Sequence, residues 1–594
     1  MLPSTLGPFA LVDGDDGDVL LFSSYLRSLT ATGDKPGEIS QVFAAIESAR
    51  ARSEWCVLAA DYELAARFDP AMASSRWGAG RLRVAVFASC QRLSAAMLDA
   101  WLDGMLYALP EHERRAGVAE VLAALTEAQY VGKVERIKDW IASGDCYQIN
   151  LTFPLDFRVY GHPLALYAAL RQRQPVRYGA YLALPDGLLL SFSPELFFER
   201  RGARVVTRPM KGTAPRGASV EEDRKQRESM LASEKERAEN VMIVDLLRND
   251  LGRLAVPGKV RVDVLCEAEA YPTLWQQVSV VSADLPYASL AELFAALFPC
   301  GSITGAPKIR AMQRIDELEE ASRGLYTGAL GWAAPNGDCR FNVAIRTFEV
   351  DAEGEARLGV GSGIVIDADP EREYAECLLK ARFLTGYDPG FGLIETMRLE
   401  QGRYPLQVLH LDRLLHSAAT LGFALDETAL VARLNEHAAD HPQGVFRTRL
   451  VLSHDGSCAI ATGALERPDD ERAWRVRLAE EVLPDNDYLR GHKTTVRERY
   501  DRTLASLPDG VFDALFFNAR GELCEGARSN VFVVRDGQWL TPPVRCGVLP
   551  GVMRRSLLAA GRAQECVLYR EDLLAAQEIY LANALRGVIR VCLD

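Results

Sequence analysis

No run of about 18 apolar residues occurs anywhere in the 594-residue chain, so no helix is expected to cross a membrane. The start, MLPSTLGPFALVDGDDGDVLLF, lacks the basic residues and continuous apolar stretch of a secretory signal, which gives a cytoplasmic location as the expectation. Basic charge is also short. With 68 Lys+Arg against 81 Asp+Glu the formal net charge is -13, and no basic cluster is visible, so nucleic acid is not an expected partner. Twelve cysteines are scattered singly from Cys56 to Cys592 with no CxxC pair, and eight histidines show no HxH or HExxH arrangement. A zinc site or a disulfide framework is therefore not expected, and any metal must be held by carboxylates. Most of the cysteines read as small buried hydrophobes.

What is present is apolar residue in quantity, 48% of a chain too long for one core, so two domains are expected. Up to about residue 385, short apolar runs such as LLLSFS, ARVVTR and VSVVSA alternate with polar helical stretches, the pattern of a large α+β domain. Residues 1–120 carry few chemical signatures and are assigned to the same domain's sheet and covering helices. The turn cluster Thr385-Gly-Tyr-Asp-Pro-Gly390 closes this region. After it, FGLIETMRL reads as a strand, and FRTRLVLS, DALFFN, NVFVV and EIYLANAL supply more, enough for an independent core over 391–594.

Two Glu-x-x-Glu pairs stand out, Glu236 with Glu239 in SEKERAEN and Glu373 with Glu376 in DPEREYAE. On a helix, residues three apart share a face. Four such carboxylates brought together would offer oxygen ligands to Mg2+, a hard cation. Each pair alone reads as a solvated helix face.

The pairs keep company with IASGDCYQINL (141–151), SPELFF (193–198), RPMKGTAPRG (208–217), GSITGAPKIRAM (301–312), FNVAIRT (341–347) and GSGIVIDADPEREYAE (361–376). In order and without gaps, these strings resemble the chorismate-utilising enzymes, the family of anthranilate synthase component I, aminodeoxychorismate synthase component I and the isochorismate and salicylate synthases. The resemblance implies that Mg2+ on Glu239 and Glu376 clamps a ring carboxylate, with Glu236 and Glu373 completing or supporting that shell. It implies Arg346 as the clamp for the enolpyruvyl carboxylate, joined by Tyr326 and the Gly363 amide, with Thr304 and Gln148 as further substrate contacts. A guanidinium suits that task because its planar fork matches a carboxylate. Glu195, if protonated, is a general acid for the departing hydroxyl. Gln148 stands where members that add water carry a lysine, which disfavours water addition. Lys211 stands where aminodeoxychorismate synthases have lysine and anthranilate synthases usually have alanine. The implied mechanism has Lys211 adding to ring C2 and ammonia adding at C4. Asn240, where anthranilate synthases more often have histidine, points the same way. No GxCxGxQ-like nucleophile elbow occurs, so ammonia is expected free or from a separate glutamine amidotransferase subunit.

The second region holds FGLIETMRL (391–399), HLDRLLHSAATLGF (410–423), HKTT (492–495), FNARGELCEGARSNVFVV (517–534), TPPVRCGVLPGVMR (541–554) and YLANALRG (580–587). These strings resemble the class IV aminotransferase-fold proteins, which include branched-chain and D-amino-acid aminotransferases and aminodeoxychorismate lyase. The fold implied is α/β and the cofactor is pyridoxal 5'-phosphate. That cofactor needs a lysine, an acid at its ring nitrogen and an anion site. By resemblance these are Lys493, Glu525, and Arg413 with the amides of Val552 and Met553, with Asn583 nearby. Threonine is usual where Met553 stands, which removes one hydroxyl contact. Family members are commonly dimers, so a homodimer through this domain is implied. Linkage of the two regions favours a lyase making 4-aminobenzoate from the first domain's product. The alternative is anthranilate synthase component I fused to an amino-acid transaminase, and Lys211 discriminates between them.

Overall fold

The computed structural model describes all residues except 1–6, 16, 33, 34, 36, 75, 77, 79, 271–273 and 466–473. The chain divides into two compact units, the first Met1–Pro110, Val121–Val159 and Pro163–Thr385, the second Glu111–Glu120, Tyr160–His162 and Gly386–Asp594. The principal break falls at Thr385/Gly386, at the expected Gly/Pro cluster. The expectation that residues 111–120 belong wholly with the first domain needs correcting. Their partners are in the second unit. Arg502 grips Glu111 through both guanidinium ends at 2.7 and 2.9 Å, Asn486 donates to Glu113 at 2.9 Å, and the Tyr488 hydroxyl donates to Glu120 at 2.6 Å.

Most strands described in the first unit hydrogen-bond into one sheet. The N-terminal strands Phe9–Asp13, Val19–Ala31, Trp55–Ala60 and Leu82–Leu93 belong to it, as expected of that Ala- and Leu-rich stretch. Strand Gln148–Tyr160 pairs antiparallel with Glu355–Ile364, from Ile149↔Ile364 to Arg158↔Glu355. Under the sheet lies an aromatic core of Phe43, Phe197, Phe198, Phe294, Phe298 and Phe341, all buried, with edge-on rings such as Phe294 against Phe341 at 5.1 Å. Aromatic pairs of this geometry add to the burial of their area.

Both Glu-x-x-Glu segments are helical. Helix Glu234–Gly252 starts where the Ser233 hydroxyl accepts from the Glu236 amide, and its first turn carries Glu234 and Glu236. Helix Pro370–Thr385 begins on proline, whose missing N–H costs nothing at that position.

The second unit holds a three-stranded antiparallel sheet, Leu393–Glu400, Val445–Leu452 and Cys458–Ala464, and a mixed eight-stranded sheet. The expected strands appear as Leu393–Glu400, Val445–Leu452, Val511–Phe517, Asn530–Arg535 and Glu578–Asn583. Seven cysteines are buried, four half-buried and one, Cys592, exposed; all are free thiols.

Candidate active sites

In the first unit, strand Met210–Pro215 carries Lys211, and the turn after strand Gly187–Ser193 carries Glu195. Glu195 is buried, and its Oε1 accepts a hydrogen bond from the Ser302 hydroxyl at 2.7 Å. Burial pushes its carboxyl up to about 7, although Ser302 and the Lys211 charge pull the other way. That is the range a general acid needs near neutrality. Lys211 stands close enough to act electrostatically on both Glu195 and Glu239, and forms no ion pair among the described residues.

The carboxylates of the two helices feel one another. Burial raises Glu239, and the charges of Glu236 and Glu376 add to that against Lys211. Glu373 is raised by burial and by Glu376, against a hydrogen bond from Ser362. Mutual repulsion of hard oxygen donors is what a divalent cation relieves, so the donor chemistry fits Mg2+. The geometry is not assembled for coordination, since no three His, Cys, Asp or Glu groups could hold an ion among the described residues. Glu376 is exposed and pairs with Lys380 at 2.9 Å.

Arg346 is the most informative cation of this site. Its backbone sits at φ 50, its guanidinium has no carboxylate partner among the described residues, and desolvation alone pushes its pKa down. A shielded guanidinium without an anion costs folding free energy unless a ligand supplies the charge. Replacing Arg346 with methionine is therefore expected to raise the KM for a dicarboxylate substrate by roughly 30- to 100-fold, about 2–3 kcal/mol, while the melting temperature holds or rises. Steady-state kinetics and calorimetry on one preparation check both halves; a large drop in melting temperature would mean that Arg346 serves the fold instead.

Gln148 is buried, and its Oε1 has no partner among the described residues. A Cβ at Gly363 would lie 2.2 Å from the Gln148 Nε2, so glycine there leaves the amide its place. The Tyr326 ring lies over Gly359, where a Cβ would come within 2.2 Å of it. The Thr304 hydroxyl donates back to the Gly301 carbonyl at 3.1 Å. Asn240 is wholly buried and its Oδ1 accepts from the Ser279 hydroxyl at 2.5 Å. Ser302 and Ser362 were not among the expected site residues, although both lie inside quoted motifs.

In the second unit, Lys493 is held by its main chain, its carbonyl accepting from the Ile394 amide at 2.7 Å. Its amine is pushed down to about 7 by burial and by the neighbouring Arg413 and Arg497 charges, against Glu395 and Glu525. An amine so depressed is a nucleophile at neutral pH. Glu525 is buried. Its Oε1 accepts from the Tyr500 hydroxyl at 2.8 Å and its Oε2 from the Leu549 amide at 2.9 Å. Burial raises its carboxyl while those two donors oppose it.

Arg413 donates to both oxygens of Glu395, at 2.8 and 2.6 Å, and reaches the Pro550 carbonyl at 3.4 Å. Burial would raise Glu395, but Arg413 and His410 hold it down to about 2. Helix Val552–Ala559 opens after Gly551 with no side-chain cap, leaving first-turn amides to a ligand. A Cβ at Gly551 would strike the Asn530 Oδ1 at 1.9 Å, which keeps that corner for glycine. Lysine, buried acid, arginine and uncapped helix start together fit a pyridoxal phosphate site. The Asn583 Oδ1 accepts from the Leu585 and Arg586 amides at 3.2 and 2.9 Å. Glu395, His410 and Tyr500 were not foreseen; Glu395 sat in a quoted motif, whereas nothing in the sequence marked Tyr500.

Residues 39–386 match the family model for chorismate binding enzyme, so the chain belongs to that family, and residues 392–593 match the model for amino-transferase class IV. Among curated relatives, the chain is 42% identical over 283 residues to aminodeoxychorismate synthase component 1 of Bacillus subtilis, covering 47% of this chain and 60% of that protein. It is 43% identical over 284 residues to anthranilate synthase component 1 of Thermus thermophilus, covering 48% of this chain and 61% of that protein. The chain thus spans about three-fifths of the length of these two relatives. A crystal structure of anthranilate synthase component I from Streptococcus pneumoniae superposes with a TM-score of 0.50 at 24% identity, over 64% of this chain and 93% of that one, and shows the fold. The protein is an enzyme built of a chorismate-binding domain followed by a pyridoxal phosphate-type class IV domain.

Proposed function

We propose that the chain makes 4-aminobenzoate in two steps, aminating chorismate at C4 in the first unit and eliminating pyruvate from the product in the second. The observation that carries this reading is Lys211, which has no ion-pair partner among the described residues and acts electrostatically on Glu195 and Glu239, in one chain with the depressed amine of Lys493. In the first unit Arg346 and the Gln148 amide hold the substrate. Lys211 adds to C2, the ring double bonds shift, and the C4 hydroxyl leaves as water with a proton from Glu195. Ammonia then adds at C4 and Lys211 departs from C2. Mg2+ would be held by Glu239 and Glu376, with Glu236 and Glu373 behind them, and would supply fixed positive charge to a carboxylate. Ammonia comes from a separate glutamine amidotransferase subunit.

In the second unit Arg413 and the amides of Val552 and Met553 would hold the phosphate of pyridoxal phosphate, and Glu525 its ring nitrogen. The cofactor, when bound, supplies an electron sink. Lys493 takes the C4 proton, pyruvate leaves from C3, and aromatisation drives the step. The rival pairing, an anthranilate synthase with a transaminase, leaves Lys211 without a task. No helix among the described residues is long and apolar enough to cross a membrane, and we place this work in the cytoplasm. A homodimer through the second unit completes the proposed assembly.

The test is one incubation with chorismate, ammonium, Mg2+ and pyridoxal phosphate, with products separated by chromatography. Release of 4-aminobenzoate and pyruvate in equal amounts is expected, and anthranilate as the main product would sink the reading. A pH dependence follows from Glu195. Because its carboxyl sits at about 7, the proton-donating form is lost as pH rises through that value. At constant free ammonia, kcat/KM for chorismate is expected to fall tenfold per pH unit above about 7, and the limb to vanish in Glu195→Gln. A limb that persists in Glu195→Gln would assign the acid elsewhere.

A further inference from the structure

Strand Met210–Pro215 pairs antiparallel with Leu274–Asp284, but its register shifts between Met210↔Val278 and Thr213↔Gln276. Lys211 and Gly212 therefore stand against a single residue, Gln277, in a β-bulge. Gly212 has φ +78, and a Cβ there would sit 3.2 Å from the Glu236 Oε2 and 3.3 Å from the Gln277 Cβ. Conformation and space both select glycine. In a regular ladder, alternation alone fixes where a side chain points. A bulge releases Lys211 from that rule, so something else must hold its direction.

The side chain of Gln276 does so with both its polar atoms. Its Nε2 donates to the Gly212 carbonyl at 2.9 Å, and its Oε1 accepts from the Thr213 hydroxyl at 3.1 Å. One amide thus pins the two residues that follow Lys211. We propose that Gln276 is a positioning residue that locks the bulge and so aims the Lys211 amine between Glu195 and Glu239. This rests on Lys211 acting as the nucleophile. A misplacement of about 1 Å in a reacting group costs roughly a hundredfold in rate, so a lock on backbone direction has a kinetic signature.

The experiment compares the full chain with Gln276→Leu, Lys211→Ala and the double variant, using chorismate, ammonium and Mg2+. For Gln276→Leu the kcat for 4-amino-4-deoxychorismate is expected to fall roughly 30- to 100-fold while the KM for chorismate moves less than about threefold. Residual product should shift toward amination at C2. Combined with Lys211→Ala, the substitution should cause no further loss, because it acts only through the lysine. Turnover of supplied 4-amino-4-deoxychorismate by the second unit, and an unchanged melting profile, confirm that the chain is folded. If Gln276→Leu fails to fold, Thr213→Val releases one end of the amide and should give a loss of about three- to tenfold with the same non-additivity. Wild-type kcat in a folded Gln276→Leu or Thr213→Val chain, or losses that add to those of Lys211→Ala, would overturn the proposal. Near wild-type turnover by Lys211→Ala itself would instead bring down the nucleophile reading on which it stands.

Discussion

Lys211→Ala is expected to retain chorismate but to lose its amination at C4 by roughly three orders of magnitude, each factor of ten being about 1.4 kcal/mol of barrier. The two halves of this result have separate causes. Retention follows from Arg346 and Gln148, neither of which is bound to the lysine in the structure. Loss follows from the proposed mechanism, in which a covalent bond from Lys211 to C2 both expels the C4 hydroxyl and blocks C2 from ammonia. With the amine gone, ammonia should reach C2, giving 2-amino-2-deoxyisochorismate or anthranilate as the residual product. Output of 4-aminobenzoate should fall in parallel and recover when 4-amino-4-deoxychorismate is supplied. Chromatography of the product mixture, with chorismate binding followed by calorimetry, reads each part. A variant that still made 4-aminobenzoate from chorismate at a near wild-type rate would remove Lys211 from the chemistry.

The second large effect is expected at Lys493. Its amine is uncharged for a sizeable fraction of the time near neutrality, since burial and two arginines hold it to about 7. Lys493→Ala should abolish the yellow absorbance of the protein reconstituted with pyridoxal phosphate and lower pyruvate release by roughly a thousandfold or more. The first unit should be untouched, so chorismate should still be consumed and 4-amino-4-deoxychorismate should accumulate. Weak retention of the cofactor through Arg413 and the helix start at Val552 is compatible with this. An absorbance spectrum like that of the parent protein would show that another lysine holds the cofactor. Reaction of the cofactor-free parent chain with pyridoxal phosphate should quicken as pH rises to about 7 and then level, because only the neutral amine attacks.

The sequence made some of this legible for physical reasons that differ from residue to residue. Helical spacing announces Glu236 with Glu239 and Glu373 with Glu376, and both segments are helices. The Glu376–Lys380 ion pair is equally readable, as residues four apart on one helix. A Gly/Pro cluster at Thr385 marks where one unit gives way to the next. Tertiary contacts were not legible. Tyr500 meets Glu525 only because the fold brings a short helix to a strand, and residues 111–120 join the second unit through Asn486, Tyr488 and Arg502, far away in sequence. Sequence likewise does not reveal that a tight turn returns the Thr304 hydroxyl to Gly301. The Lys211 bulge was hidden for a similar reason, since a register shift depends on both strands at once.

Strand Leu393–Glu400 ties two distant needs of the second unit to one ladder. Its Ile394 amide holds the Lys493 carbonyl, and the next residue, Glu395, grips the guanidinium of Arg413. A slip of one residue would bring Ile394 or Thr396 to the arginine in place of a carboxylate, and would unhook the lysine in the same motion. A misaligned first strand would therefore disturb the proposed covalent anchor and the proposed anion anchor together, although either side chain can be removed alone. With Lys493 and Arg413 in their proposed roles, cofactor retention would report the alignment of this one strand.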